Sequence, residues 1–105
     1  EIRFIRRYAM QNFEKYMQTE HKGKANAVFS KELERLFHCK GTEIRRMVNE
    51  LRTKGVPICS CSRGYYYAES RSDIEETIAH LDGRVSKIKA AQDGLREILN
   101  NYIGG

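Results

Sequence analysis

The apolar residues between positions 74 and 102 constrain this chain more than any other feature. Ile74, Ile78, Leu81, Val85, Ile88, Gln92, Leu95, Leu99 and Tyr102 follow one another at alternating steps of four and three. That spacing keeps one stripe in line along an α-helix and defines a heptad seam. Gln92 is its one polar member. Such a stripe is roughly 42 Å long at 1.5 Å per residue and needs a partner surface of similar length. Two partners stay open: helix 1 of the same chain, or a second copy. Nine positions extend too far for a three-helix domain to cover, so a homodimer is expected, held by Ile78, Leu81, Val85, Ile88, Leu95 and Leu99. Gly83 and Gly94 interrupt the segment at about 1 kcal/mol each relative to alanine. Asp82-Gly83 is a candidate break into two helices.

A chain of 105 residues and 12.2 kDa has room for a single core besides that segment. With 40% hydrophobic and 31% charged residues it reads as a folded domain rather than a disordered or collagen-like chain. Its apolar runs fall far short of the roughly 20 residues that cross a bilayer, so no membrane partner is expected. No apolar stretch near the start resembles a signal peptide, which points to a cytoplasmic protein; the sequence begins at Glu1, not methionine, so a leading targeting element stays open. Cys39, Cys59 and Cys61 are odd in number and are read as reduced thiols.

Charge is distributed unevenly. Lys and Arg number 19 against 14 Asp and Glu, for a net +5. Residues 1–64 carry 14 basic and 7 acidic side chains, net +7, whereas residues 65–105 carry 5 and 7, net −2. The first part is a candidate polyanion binder.

Within that part the apolar residues Phe4, Ile5, Tyr8, Ala9, Phe13, Tyr16 and Met17 fall on one face of a helix running to about Thr19. A brief strand is expected over 26–29. Ser30 is then the expected N-cap of a second helix, Lys31 to Phe37, with Leu33, Leu36 and Phe37 inward. His38-Cys39-Lys40-Gly41 forms a tight connection whose glycine can take unusual backbone angles. In the third helix Ile44, Met47, Val48 and Leu51 form a buried stripe, ended by Gly55 and Pro57. Pro57 to Cys61 and Tyr65 to Ala68 read as a hairpin around Ser62-Arg63-Gly64. Ser72 with Glu75 is the expected capping box of the last helical region.

Two helices joined by a short glycine-containing turn form the helix-turn-helix unit, whose second helix fits the major groove of DNA. Lys40, Thr42, Arg45, Arg46 and Asn49 lie off the buried stripe of helix 3 and are available for contacts. Arginine reads guanine with two hydrogen bonds, asparagine reads adenine, and Lys40 and Thr42 suit phosphate. A hairpin directly after such a helix is a wing, and Arg63 at its tip reaches an adjacent minor groove or the backbone.

The segments "KELERLF", "HCKG", "TEIRRMVNELRTKG" and "PICSCSRGYYYA" resemble the winged helix-turn-helix of the biotin operon repressor type. They cover about a third of the chain directly, and helix 1 extends the match to roughly two thirds. The chain is also similar to small DNA-binding proteins of bacteria and their phages in which "INELRxKGxPI" precedes "GYYxA". The resemblance implies double-stranded DNA binding through helix 3 and the wing, with Lys40, Thr42, Arg45, Arg46, Asn49 and Arg63 as contacts. Members of this class commonly cap helix 3 with serine or threonine, whereas Lys40-Gly41 precedes Thr42 here. No ligase or effector domain has a counterpart, so neither biotin nor ligase activity is implied.

Other chemistries find less support. His38-Cys39 and Cys59-x-Cys61 carry zinc-ligand types, but their spacing is not that of a zinc knuckle or ribbon, and small buried hydrophobes are the better roles. Tyr65, Tyr66 and Tyr67 offer rings for base stacking, yet strand alternation sends at least one inward. No nucleophile motif, phosphate loop or carboxylate pair suggests an enzyme, and no cofactor or metal is expected. The expected fold is α+β and mostly helical: a winged helix-turn-helix domain over 1–70 with an appended coiled-coil-like C-terminal helical segment over 71–105. The expected function is sequence-specific duplex DNA binding by a dimer, in transcriptional regulation or in phage-type replication or recombination control. The alternative is a protein-interaction adaptor that uses the same winged helix and coiled coil without binding DNA.

Overall fold

The computed structural model describes the backbone from Ile2 to Tyr102 and side chains from Ala9 onward. The chain is α+β and 70% helical, with a two-stranded antiparallel sheet. Its elements are α1 (Ile2–Glu20), a single 3-10 turn (Lys24–Asn26), α2 (Ser30–Phe37), α3 (Gly41–Thr53), β1 (Ile58–Cys61), β2 (Gly64–Tyr67) and α4 (Arg71–Asn100). No helix among the described residues is long and apolar enough to cross a membrane.

The core forms where α1, α2, α3 and the hairpin converge. Met10, Phe13 and Met17 enter from α1, Leu33 from α2, and the expected stripe Ile44, Met47, Val48 and Leu51 from α3; Val28 and Ile58 close it. The side chains of Phe4, Ile5 and Tyr8 lie outside the described residues. Phe37 sits edge-on to Phe13 and Tyr16, at ring-centroid distances of 5.4 and 5.7 Å, a geometry that aromatic quadrupoles favour. Leu36, expected inside, is exposed. The inward face of α2 passes through Leu33 and Phe37, four residues apart, and leaves Leu36 at its margin.

Several local signals resolve differently from expectation. The strand expected over 26–29 reduces to the 3-10 turn and one bridge residue, Val28, paired with Tyr65. Phe29, not Ser30, is the N-cap of α2. Ser30 is helical, and its hydroxyl donates to Glu34 Oε2 (2.9 Å) instead of accepting from the backbone. In the turn before α3 the left-handed residue is His38 (φ 53°), not Gly41, which already belongs to α3. Gly41 serves a close approach: a Cβ there would stand 3.0 Å from Glu34 Oε2 on α2. At the other end of α3, Gly55 (φ 90°) behaves as expected. Its N–H donates to the Arg52 carbonyl and that of Val56 to the Leu51 carbonyl, the paired bonds of a Schellman stop.

In the hairpin Ile58 pairs with Tyr67, Cys59 with Tyr66, Ser60 with Tyr65 and Cys61 with Gly64. Alternation sends Tyr66 to one face, fully buried with Cys59 and Ala68, and sends Tyr65 and Tyr67 partly into the main core. The outer side of β2 is occupied by the segment before α2. Gly23 N–H donates to Tyr67 O, Tyr67 N–H to His21 O, and Val28 and Tyr65 exchange both backbone bonds at 2.8 Å. Gly64 (φ 114°) is required there, because a Cβ would lie 2.0 Å from the Val28 carbonyl oxygen.

The capping box of α4 forms at Ser70 and Asp73, two residues before the expected Ser72 and Glu75. Asp73 Oδ2 accepts from the Ser70 N–H (3.3 Å) while Ser70 Oγ accepts from the Asp73 N–H (3.4 Å). The helix then continues unbroken through Asp82 and Gly83. It packs on β1 rather than along α1: Thr77 is buried, and its Oγ1 accepts from the Ser60 N–H (3.3 Å). Glu76 meets Lys24 at 3.0 Å. After Leu81 every described residue of α4 is exposed. The helix therefore projects, giving a radius of gyration of 17.5 Å, against about 13 Å for a compact domain of this size.

Candidate nucleic-acid interface

The buried stripe of α3 fixes which side chains its opposite face presents. Because Ile44, Met47, Val48 and Leu51 point into the core, Thr42, Arg45, Arg46 and Asn49 are exposed together on the far side. Lys40 stands exposed at the head of the same helix as its N-cap, with no side-chain capping bond. The Lys40 carbonyl accepts from Glu43 (2.9 Å) and Ile44 (3.1 Å). The preceding N–H groups, those of Gly41 and Thr42, have no intrahelical acceptor, as at any helix start. The helix head thus joins free amides, the positive end of the dipole and a lysine in one place.

The charges on this face are unequal in availability. Arg46 is engaged with Glu43 at 3.0 Å, an exposed pair one helical turn apart. Arg45 has no carboxylate within ion-pair distance among the described residues. Arg63 is exposed at the hairpin tip, and its guanidinium donates to the Lys24 carbonyl (3.5 Å). Five of the six expected contact residues thus share α3 or its cap, and the sixth lies on a separate element.

Two further cations emerge from the fold. Arg52 is half-buried and ties α3 to β1, with Nε donating to Ile58 O (2.7 Å) and Nη2 to Ser60 Oγ (3.3 Å). Burial lowers the pKa of its guanidinium, and the nearby Arg84 guanidinium adds to that effect. Arg52 and Arg84 line a cavity of about 340 Å³ with Ser30, Ser60, Ser62 and Tyr65, and no carboxylate faces it. The proximity of Arg52 to Arg84, 32 positions later, follows from α4 crossing the hairpin.

The remaining candidates have structural roles. Cys59 is buried, its thiol 3.5 Å from the Asp73 carbonyl, and burial pushes its pKa up. Cys39, partly buried against the core, is pushed up by burial and then by Glu43 and Glu34. All three cysteines are free, and among the described residues no group of three or more His, Cys, Asp or Glu is placed to hold a metal ion. Tyr66 is fully buried, and its hydroxyl has no hydrogen-bond partner among the described residues. Its pKa is pushed up to about 12, first by burial and then by Cys59 and Asp73. His21 bridges Asn26 O (2.8 Å) through Nδ1 and the Tyr16 hydroxyl (3.0 Å) through Nε2.

The chain matches no family model, no curated protein and no solved structure.

Proposed function

We propose that this chain is a winged helix-turn-helix protein that binds double-stranded DNA through α3 and the hairpin, as a dimer joined by α4. The observation that carries the reading is the outer face of α3. Thr42, Arg45, Arg46 and Asn49 share it without a packing role, beneath a helix head that combines Lys40 with free amides. An α-helix fits the major groove, where arginine and asparagine pair with guanine and adenine edges while lysine, threonine and helix-head amides hold phosphates. The order of elements, two helices joined by three residues and followed directly by a hairpin, supports the winged arrangement, with Arg63 as the tip contact. A role in transcriptional regulation or in phage-type replication or recombination control fits a small dimeric binder of this kind.

Titration of a labelled random-sequence duplex, read by fluorescence anisotropy at two salt concentrations, tests the reading. About six phosphate contacts give a log–log salt slope near −5. Replacing Arg45 and Arg46 together by alanine is expected to weaken binding at least tenfold and flatten the slope by up to about two, with the helical circular dichroism unchanged. Absence of binding at low salt, or affinity indifferent to salt, overturns DNA recognition and leaves the adaptor reading.

A further inference from the structure

We propose that α4 pairs with α4 of a second copy in antiparallel orientation, in the register that sets Ile74 against Leu99. This rests on the dimeric part of the reading above and adds to it the arrangement of the two copies. The seam is open to receive a partner: Val85, Ile88, Leu95 and Leu99 are 63–70% exposed. Orientation follows from the charges beside it.

Along one flank of the seam, the residues that follow Ile74, Leu81, Ile88 and Leu95 are Glu75, Asp82, Lys89 and Arg96. The flank is acidic in its first half and basic in its second. In a parallel pair each flank faces the opposite flank of the other helix, which holds Thr77, Arg84, Ala91 and Ile98. Arg84 then meets Lys89, and no acid meets a base. In an antiparallel pair like flanks face each other. Glu75 then meets Arg96 of the second copy and Asp82 meets Lys89, and two-fold symmetry repeats both pairs.

The register is fixed by the same residues. With Ile74 against Leu99, Ile78 faces Leu95, Leu81 faces Gln92 and Val85 faces Ile88. A slip of one heptad in one direction sets Asp82 against its own copy, and a slip in the other sets Lys89 against its own copy. Either slip keeps one symmetric set of attractions, Glu75 with Lys89 or Asp82 with Arg96, but loses the other set and adds a like-charge contact on the two-fold axis. The intrahelical pairs Arg71–Glu75 and Lys89–Asp93 are exposed and weak enough to be exchanged.

A second observation concerns the other flank. Thr77 is buried against β1, and its antiparallel counterpart is Ile98, an exposed apolar side chain where a solvated flank would carry a polar one. Beside Thr77 lies an apolar groove of about 320 Å³ whose walls include Val56, Pro57, Ile74, Ile78 and Leu81. Antiparallel pairing brings Ile98 of the second copy to this groove, whereas parallel pairing leaves it level with the far end of α4, about 32 Å from Thr77 along the axis. Because each body attaches on the Thr77 flank, both bodies lie on the same side of the helix pair. Their Thr77 residues are then about 28 Å apart along its axis.

Sedimentation equilibrium of the full chain at low salt tests the arrangement with two variants, Glu75→Lys/Asp82→Lys and Lys89→Glu/Arg96→Glu. The first has an entirely basic flank and the second an entirely acidic one. Each alone is expected to self-associate at least about tenfold more weakly than the unaltered chain, and an equimolar mixture is expected to recover association as a heterodimer. Circular dichroism checks that each variant folds. Unimpaired self-association of both variants, or a mixture no tighter than its components, overturns the antiparallel register; so does an unaltered chain that stays monomeric. The anisotropy titration separates this from DNA recognition: a monomer that still binds duplex removes α4 pairing alone, and a charge-swappable dimer without DNA affinity removes the DNA reading alone.

Discussion

Leu33 and Leu95 both sit on the apolar stripe of an amphipathic helix, yet Leu33 is fully buried and Leu95 is 68% exposed. The body, from α1 through the hairpin, uses its stripes internally: α3 turns its apolar face onto α1, α2 and β1 in one cluster. Past Leu81, α4 carries a stripe as regular as that of α3, yet every residue of it is exposed. Periodicity records that a face is to be shielded from water, not which surface does the shielding. The two regions therefore differ in how their apolar residues are placed: in the chain's own core in one case and open to solvent in the other.

The widest separation between them is expected from leucine truncation. Leu33→Ala should lower the unfolding free energy by about 4 kcal/mol, since it empties a fully buried site. Leu95→Ala should leave the denaturant midpoint of the dilute chain nearly unchanged and weaken self-association. A large loss of body stability from Leu95→Ala would erase the distinction. The glycines sharpen it next. Gly64→Ala should cost about 3 kcal/mol, because its backbone angle is left-handed and its Cβ would collide with the Val28 carbonyl.

Tyr66 probes the body by pH. Its folded pKa, about 12, lies above the ordinary value of 10, so between those values the folded state holds a proton that the unfolded state releases. Stability is therefore complete below about pH 10 and falls by about 2 kcal/mol as the pH rises to 12. Tyr66→Phe should abolish this part of the alkaline loss. It should also raise neutral-pH stability by about 1 kcal/mol, since the hydroxyl it removes is buried without a partner. Thermal melts across pH read both effects. The smallest change belongs to α4: Gly83→Ala, where an added methyl meets no atom within 4 Å, should gain up to about 1 kcal/mol of helix stability.

Features set by several residues acting together were legible in the sequence. The stripe of α3 and the outward set Thr42, Arg45, Arg46 and Asn49 follow from a repeated spacing, and a single neighbour does not overturn such a pattern. Features resting on one residue were not. Ser30 had the chemistry of a cap, but Glu34 one turn later offered its hydroxyl a carboxylate acceptor. Ser72 and Glu75 matched a capping box, but Ser70 and Asp73 matched it as well and stand where the chain leaves β2. Gly41 suited a left-handed turn, but His38 took the turn and Gly41 became the first residue of α3. The basic cavity at Arg52 and Arg84 was invisible because it depends on the crossing of α4 over the hairpin, a long-range contact with no local signal.

The hairpin bonds described above also decide which surfaces of this chain are open to another molecule. A two-stranded sheet has two rims from which further strands of other molecules can grow. Here the rim of β2 is filled by the backbone of residues 21–28, and on the rim of β1 the Ile58 carbonyl is held by Arg52 and the Ser60 amide by Thr77. Strand addition is thereby closed off on both sides. The apolar surface that the molecule does expose is helical, on α4, and pairing between two helices is complete once it has formed, whereas strand addition propagates without end.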